Sequence, residues 1–186
     1  MTSTSAPRSF ASAASAPATT LPTHPIPSGS WTFYFHESDD KSWGAESYKK
    51  IHVAASWEGM GTLLREMGPA RIMGGVLKVM RGETSPLWEN KVNIRGGAYC
   101  LKIPRRTAVE VFTRYLAAAA ADCATTDPAR NQIVGVTISP KRGFCIIKLW
   151  NLDASKYKDP EDIAILHDDV KTAEILYRPH VDARMI

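Results

Sequence analysis

The feature that most constrains the fold is a pair of apolar runs separated by a short turn. Residues 133–139 and 144–150 are rich in β-branched and aromatic side chains, and Pro140-Lys141-Arg142-Gly143 connects them. Two such runs, joined by a segment that contains Pro and Gly, predict a hairpin of antiparallel strands. The chain is therefore predicted to contain an antiparallel sheet, with a basic loop at the tip of this hairpin.

The rest of the chain alternates strands with a few helices. Further strands are predicted at 31–36, 48–54, 75–81, 98–103 and 174–177. Helices are predicted at 57–67, 105–123 and from 161 to about 172. Ser56 is the expected N-cap of the first helix, and Gly68-Pro69 is its expected stop. Strands grouped in hairpins with interposed helices predict an α+β fold with a mainly antiparallel sheet.

The first 23 residues differ in composition from everything that follows. They are mostly Ser, Ala, Thr and Pro, with Arg8 as the single charged residue. Such a segment cannot bury enough apolar surface to offset its ordering entropy, so residues 1–23 are predicted to be a disordered tail. An organelle transit peptide is the alternative interpretation. Residues 24–186 are predicted to form one globular domain, since 44% of the chain is hydrophobic.

The net charge and the cysteine and histidine positions indicate which kinds of partner and site this chain can have. The net charge of +4 favours a polyanionic partner without requiring one. Cys100, Cys123 and Cys145 lie far apart, which predicts core thiols in a reducing compartment rather than disulfides or a zinc site. The histidines show no metal-ligand spacing, so neither a metal nor a cofactor is predicted. No apolar stretch approaches the ~18 residues that cross a bilayer, so a soluble protein without a membrane contact is predicted.

The strongest candidate for a binding site is the pair Trp88-Glu89. An indole can stack on the flat face of a guanine while a carboxylate accepts from the N–H groups of the base edge. Arg95-Gly96-Gly97 follows closely, and Trp43 and Trp150 lie on either side in the sequence. Taken alone, each element is more typical of packing or of a solvated loop, and the glycines would supply positive φ at a strand entry. Their combination is what indicates a nucleotide site.

The order of these motifs resembles that of the translation initiation factor 4E family, whose members bind the messenger-RNA cap. Residues 85–90 and 95–99 resemble its signature P-x-W-E-x(5)-R-G-G-x-[WY]. Other matching pieces, in the family's order, are 23–26, 31, 33–35, 41–43, 138–143, 147–150 and 177–180. The resemblance runs from about residue 24 to residue 180. It implies a curved, mainly antiparallel sheet backed by about three helices on its convex face.

The resemblance implies a role for each residue of the site. Trp43 and Trp88 match the two indoles that sandwich the methylated, cationic guanine, and each stacking contact contributes ~1–2 kcal/mol. Glu89 matches the carboxylate that accepts from guanine N1–H and from the exocyclic amine. Trp150 matches the indole that packs against the methyl group.

The phosphate chain of a cap requires cations. Lys141 and Arg142 at the hairpin tip, together with Arg95, are the predicted candidates. Ala98-Tyr99 stands where the family usually has arginine and tryptophan, so one cation near the phosphates is missing. The hairpin is also one residue longer than is usual, which leaves the register of its two cations open.

The resemblance also implies a partner-binding surface on the convex face, where the family recognises a short helical motif of a scaffold protein or of inhibitory 4E-binding proteins. The positions concerned here are His24, Pro25, Ile26, Trp57, Gly61, Arg114, Ala117 and Ala118. Gly61 stands at a tryptophan position of the family, and Arg114 and the alanines stand near leucine positions. Each lost large side chain removes ~1.5–3 kcal/mol of burial, so a non-standard partner contact is predicted.

The sequence therefore predicts a cytoplasmic, non-enzymatic protein that binds capped messenger RNA and recruits it to translation initiation through a protein partner. Two alternatives stay open. A member of the same family that lacks the scaffold contact would sequester caps and repress translation. A cap-hydrolysing enzyme would need clustered glutamates to hold magnesium, and only Arg65-Glu66 resembles a fragment of the Nudix helix that carries them.

Overall fold

The computed structural model describes residues 23–181, so the predicted tail lies outside the described residues. Seven strands form one antiparallel sheet that is open at both edges. The strands are β1 (Trp31–Glu37), β2 (Lys49–Ala54), β3 (Gly75–Arg81), β4 (Gly97–Pro104), β5 (Gly135–Pro140), β6 (Phe144–Asn151) and β7 (Leu176–Pro179). Their order across the sheet is β2-β1-β3-β5-β6-β4-β7. The predicted α+β fold with a curved antiparallel sheet is confirmed.

The hairpin predicted from the two apolar runs is formed by β5 and β6. Its register pairs Thr137 with Lys148 and Ile138 with Ile147. The turn is closed by the N–H of Lys141, which donates to the carbonyl of Phe144 at 2.8 Å. β7 begins two residues later than predicted, and the other strand ends lie within two residues of their predicted positions.

Two α-helices, α1 (Trp57–Ile72) and α2 (Ala108–Ala120), pack on one face of the sheet. Ser56 caps α1 as predicted, because its Oγ accepts from the N–H of Gly59 at 3.1 Å. The chain does not stop at Gly68-Pro69. Gly68 adopts a φ of +63°, which kinks the helix there, and the helical hydrogen bonding resumes as far as Ile72.

The prediction of a third helix at 161–172 is wrong. Pro160–Asp162 and Thr172–Glu174 form only single 3-10 turns, and another such turn lies at Ala45–Ser47. The backbone of Ile163 pairs with Thr125, and the carbonyl of Ala164 accepts from the Tyr115 hydroxyl at 2.8 Å. These contacts hold the chain extended against the end of α2, so local helix propensity is overridden by tertiary hydrogen bonds.

Alternation along the strands divides the side chains between two faces of the sheet. The face toward the helices carries the main core, which includes Phe33, Leu77, Leu101, Ile147 and Phe112. The other face carries a small apolar cluster of Met80, Ala98, Val134 and Trp150, surrounded by polar side chains. This second face is not covered by a helix in the described part of the chain, and the candidate site lies on it.

The cysteines and the remaining tryptophan of the core can also be placed. Cys145 is buried, whereas Cys123 is exposed, so the prediction that all three thiols fill the core is wrong for Cys123. Trp31 is fully buried, and its indole N–H donates to Ser28 Oγ at 2.9 Å. Within residues 23–181, no helix has both the length and the apolar character needed to cross a lipid bilayer.

Candidate functional site

A cavity of about 450 Å³ lies on the uncovered face of the sheet. Its walls come from the loop between β1 and β2, from the loop between β3 and β4, and from the strands beneath them. The predicted site residues that line it are Trp43, Trp88, Glu89, Lys141 and Trp150. Two indoles from different loops, a third indole from the sheet and one carboxylate thus share a single concave site.

Trp43 stands on the loop between β1 and β2 with 60% of its surface exposed. One face of its indole stacks on the buried ring of His36, with the ring centroids 4.3 Å apart and an interplanar angle of 11°. The His36 ring is fixed in turn, because its Nε2 donates to the carbonyl of Ser42 at 2.7 Å. Only the other face of the Trp43 indole is therefore available to a ligand.

Trp88 and Glu89 lie on the loop between β3 and β4, and both are exposed. Asn93 organises this loop from within, because its buried side-chain amide donates to the carbonyls of Ser85 at 2.8 Å and Leu87 at 2.7 Å. Glu89 makes no hydrogen bond or ion pair with any other residue in the 23–181 range. Its carboxylate oxygens are consequently free to accept from a ligand.

Trp150 forms part of the floor of the cavity. Its side chain is only 4% exposed, and its Nε1 is buried without a hydrogen-bond partner among the described residues. The ring of His180 lies 4.7 Å from it, and its Nδ1 donates to the carbonyl of Asn93 at 2.8 Å. Burial, with the nearby cations Lys148 and Lys78, lowers the pKa of His180 below its ordinary value.

Lys78 is the least expected residue of the site, since it is a lysine only 8% exposed in the floor of the cavity. Its Nζ donates to the carbonyl of Pro86 at 2.7 Å, which ties β3 to the loop that carries Trp88. The same Nζ lies 4.0 Å from the ring centroid of Tyr48 and 5.1 Å from that of Trp150. The pKa of Lys78 is lowered from 10.5 to about 7, mainly by burial and in smaller part by Lys148, while Glu89 opposes the shift.

Lys78→Met is expected to remove a pH dependence of stability. Because the pKa of Lys78 is lower in the folded state, the unfolded chain holds the extra proton between about pH 7 and pH 10.5. The free energy of unfolding of the wild type should therefore rise with pH, by about 2 kcal/mol between pH 7 and pH 9. Denaturant unfolding of both proteins across this range measures the effect. Lys102→Met, at an exposed position of β4, is the control and should keep the rise; an equal rise in Lys78→Met would contradict the assignment.

The Arg95-Gly96-Gly97 turn is structural in a way that the sequence did not indicate. The prediction of positive φ at Gly96 and Gly97 is wrong, because the glycines with positive φ in the described chain are Gly29, Gly68 and Gly82. Close approach explains the pair instead. A Cβ on Gly96 would overlap the carbonyl of Asn151, and one on Gly97 would overlap the hydroxyl of Tyr177.

Two predicted cations do not reach the cavity. Arg95 lines a different cavity, which it shares with residues 152–156, and its carbonyl accepts from the N–H of Ala154 at 2.9 Å. Arg142 is exposed at the hairpin tip and does not line the site. Of the three predicted phosphate contacts, the structure brings only Lys141 to the cavity.

A family model for eukaryotic initiation factor 4E matches residues 28–184 of this chain. The chain belongs to this family. The family is one of initiation factors rather than of enzymes.

Solved structures of initiation factor 4E proteins share the fold. The eIF4E-3 protein of Ascaris suum in complex with m7G cap superposes with a TM-score of 0.60 at 18% identity, over 72% of this chain and 76% of that one. The eIF4E-3 protein of C. elegans with the 4E-binding protein Mextli and a cap analog gives 0.64 at 16% identity, over 73% and 78%. A schistosome eIF4E with m7GpppG and 4E-BP gives 0.63 at 21% identity, over 72% and 75%.

The residues at which this initiation factor 4E family member was predicted to meet a protein partner lie around α1 and α2. His24 is fixed there, because its backbone N–H donates to Glu58 Oε2 at 2.9 Å and its Nδ1 lies 2.5 Å from Oε1. These contacts lower the pKa of Glu58 to about 2. Pro25 pairs with Ser56, so the segment crosses the start of α1.

The other predicted partner positions differ in exposure. Ile26 is buried, and Trp57 is half-buried against the core. A Cβ at Gly61 would meet open space apart from the tip of Arg65, so this position offers no apolar surface. Arg114 is exposed and donates to the carbonyl of Leu166 at 3.1 Å. Ala118 is buried, so it is unavailable to a partner.

Sequence reasoning missed the residues that the strands and the positions next to strand ends add to the site. They are Tyr48, Lys78, Cys100, Thr137, Lys148, Arg178 and His180. A signal was present, because Lys78 and Lys148 each interrupt an otherwise apolar strand, and Lys148 lies two residues from Trp150. Residues two apart in a strand share a face, so this spacing places Lys148 beside the indole.

Proposed function

We propose that this protein binds the 7-methylguanosine cap of messenger RNA without chemical conversion of it. The proposal is supported by one observation above the others: the exposed indoles of Trp43 and Trp88 and the unpaired carboxylate of Glu89 line the same cavity. Methylation at N7 gives the base a positive charge, which adds a cation–π attraction to stacking between two indoles.

Each group then has one task in recognition. Trp43 stacks on the base with the indole face that His36 leaves open, and Trp88 covers the opposite face of the base. Glu89 accepts from N1–H and from the exocyclic amine, a pair of donors that adenine lacks. Trp150, in the floor, packs against the methyl group. The named solved relatives were determined with m7G cap, with a cap analog or with m7GpppG, which supports a cap as the ligand.

Titration of tryptophan fluorescence with nucleotides tests the proposal. 7-Methylguanosine triphosphate is expected to quench the indoles and to bind at least 10-fold more tightly than guanosine triphosphate, because only the methylated base is cationic. Adenosine triphosphate is the control and should bind no better than inorganic triphosphate. Equal affinity for the methylated and unmethylated guanine nucleotides would overturn the assignment of the two indoles.

We further propose that the protein acts in the cytoplasm, in translation initiation, through a protein partner. Proteins of this fold have been solved with Mextli and with 4E-BP, which supports a protein partner. A second role is favoured by a specific observation: Gly61 and the polar Arg114 offer little apolar surface at the predicted docking positions. A protein that holds caps without a scaffold would repress translation. Addition of the protein to a cap-dependent translation extract separates the roles, since output rises in the first case and falls in the second.

A further inference from the structure

The charges that line the cavity are unbalanced. Four basic side chains line it, Lys78, Lys141, Lys148 and Arg178, against the single carboxylate of Glu89, and the last three are fully charged at neutral pH. None of the four forms an ion pair within the part of the chain that the structure describes. If Glu89 is engaged by the edge of a base, as the proposed function requires, the remaining positive charge has no protein counter-ion. Such a surface favours an anionic group of the ligand.

Sheet register shows where these cations lie. Lys78, Thr137, Lys148 and Cys100 are paired in succession across β3, β5, β6 and β4, so they form one row on the cavity face. Residues paired in an antiparallel ladder lie on the same face, about 5 Å apart. Arg178 belongs to the adjacent row, where it pairs with Ala98, the neighbour of Trp150. Lys148 and Arg178 therefore flank β4 from its two sides, about 10 Å apart across the strands and offset by two residues along them.

The surface between these two cations is lined by small side chains, and an unused hydrogen-bond donor lies on the other side of Lys148, on β5. Ala98 and Cys100 occupy β4 between Lys148 and Arg178, and both cations lower the pKa of the Cys100 thiol against the larger effect of burial. Thr137 is 2% exposed, lies beside Lys148 in the row, and its hydroxyl has no partner among the described residues. A buried hydroxyl without a partner is costly, and a phosphate oxygen would satisfy it.

We propose that the phosphate chain of the bound nucleotide lies across the sheet, held by Lys148 and Arg178 and by the hydroxyl of Thr137, rather than by the hairpin tip. This inference rests on the proposed function for the position of the base. Ala98 replaces the cation that the family usually places on β4, and Lys148 and Arg178 supply charge from the two neighbouring strands. Arg142 lies outside the cavity, and the carbonyl of Lys141 accepts from Arg105 Nη1 at 2.6 Å, at the edge of the site.

A comparison of ligands that differ only in phosphate content tests this placement. Dissociation constants are measured for 7-methylguanosine, its monophosphate and its triphosphate with the wild type, Lys148→Gln and Arg178→Gln. Each substitution is expected to weaken the binding of the triphosphate about 10-fold and to leave the affinity for the nucleoside within twofold of the wild type. Thr137→Val should weaken the binding of the triphosphate several-fold and leave the affinity for the nucleoside unchanged. Lys102→Gln, an exposed cation on the same face of β4 outside the cavity, is the matched control and should change neither.

Two results would overturn the placement. One is an unchanged triphosphate affinity in Lys148→Gln and Arg178→Gln, and the other is an equal loss for the nucleoside, which would indicate a structural role. A 10-fold loss confined to Lys141→Gln, the substitution of the hairpin-tip cation that lines the cavity, would assign the phosphates to the hairpin tip instead. Inorganic triphosphate separates this inference from the proposed function. If the nucleoside fails to bind the wild type while inorganic triphosphate binds and depends on both cations, the cap assignment fails and the anion site stands.

Discussion

Glu89→Gln is expected to weaken the binding of 7-methylguanosine triphosphate about 100-fold. The substitution keeps the size of the side chain but replaces one acceptor by an amide donor, which faces the donors of the guanine edge. Loss of two charge-assisted hydrogen bonds in a partly desolvated site amounts to about 3 kcal/mol. Fluorescence titration of the purified variant, at the salt concentration used for the wild type, measures the change.

The fold should be unaffected by this substitution, because Glu89 is exposed and contacts no hydrogen-bond partner in residues 23–181. Thermal unfolding of the variant is therefore expected to match that of the wild type. Glu83→Gln is the matched control, since Glu83 belongs to the same loop, is 89% exposed and does not line the cavity. It should bind within twofold of the wild type. Normal cap affinity in Glu89→Gln would contradict the assignment of this carboxylate to base recognition.

Gly96→Ala is expected to cause the largest loss of stability among single-methyl additions in this chain. The new Cβ would overlap the backbone carbonyl of Asn151, so either β6 or the end of the Trp88 loop must move. The carbonyl of Gly96 accepts from the N–H of His180 at 2.9 Å, so the displacement also disturbs the wall of the cavity. A cost of about 3 kcal/mol or more is expected, which lowers Tm by roughly 6–12 °C in a domain of this size.

Gly143→Ala provides the comparison for this prediction. Gly143 is in the tip of the β5–β6 hairpin, its φ is not positive, and a Cβ there would meet no atom within 4 Å. Its Tm should change by less than about 2 °C, since exposed substitutions without strain usually alter stability within 0.5 kcal/mol. Equal Tm values for the two variants would show that the junction of β4 with β6 tolerates the methyl group.

Much of the fold follows from local patterns. The strands at Trp31–Glu37, Gly75–Arg81 and Phe144–Asn151 were predictable because each is a short run rich in apolar, aromatic or β-branched residues. The cap at Ser56 was also predictable, because its hydrogen-bond partner, the N–H of Gly59, is only three residues away. Each of these elements is determined by interactions among neighbours in sequence.

The failures have one physical cause, which is a distant partner. Residues 161–172 carry helix-compatible side chains, yet the bond from the Tyr115 hydroxyl to Ala164 and the pairing of Ile163 with Thr125 keep them extended. Gly96 was attributed to backbone freedom, whereas its real constraint is Asn151, which lies 55 residues later in the chain. No window of sequence contains either partner.

By itself, the sequence determined the family and the antiparallel sheet, and it predicted the base-recognition residues, because Trp88-Glu89 and its ordered companions are a linear pattern. Only the tertiary structure decided which basic side chains line the cavity. Lys78, Lys148 and Arg178 come from three strands that are far apart in the chain, and they meet because strand register brings their rows together on the face without helices. Register is fixed by the burial of the opposite face, so the charge of the site is set by the packing of the core.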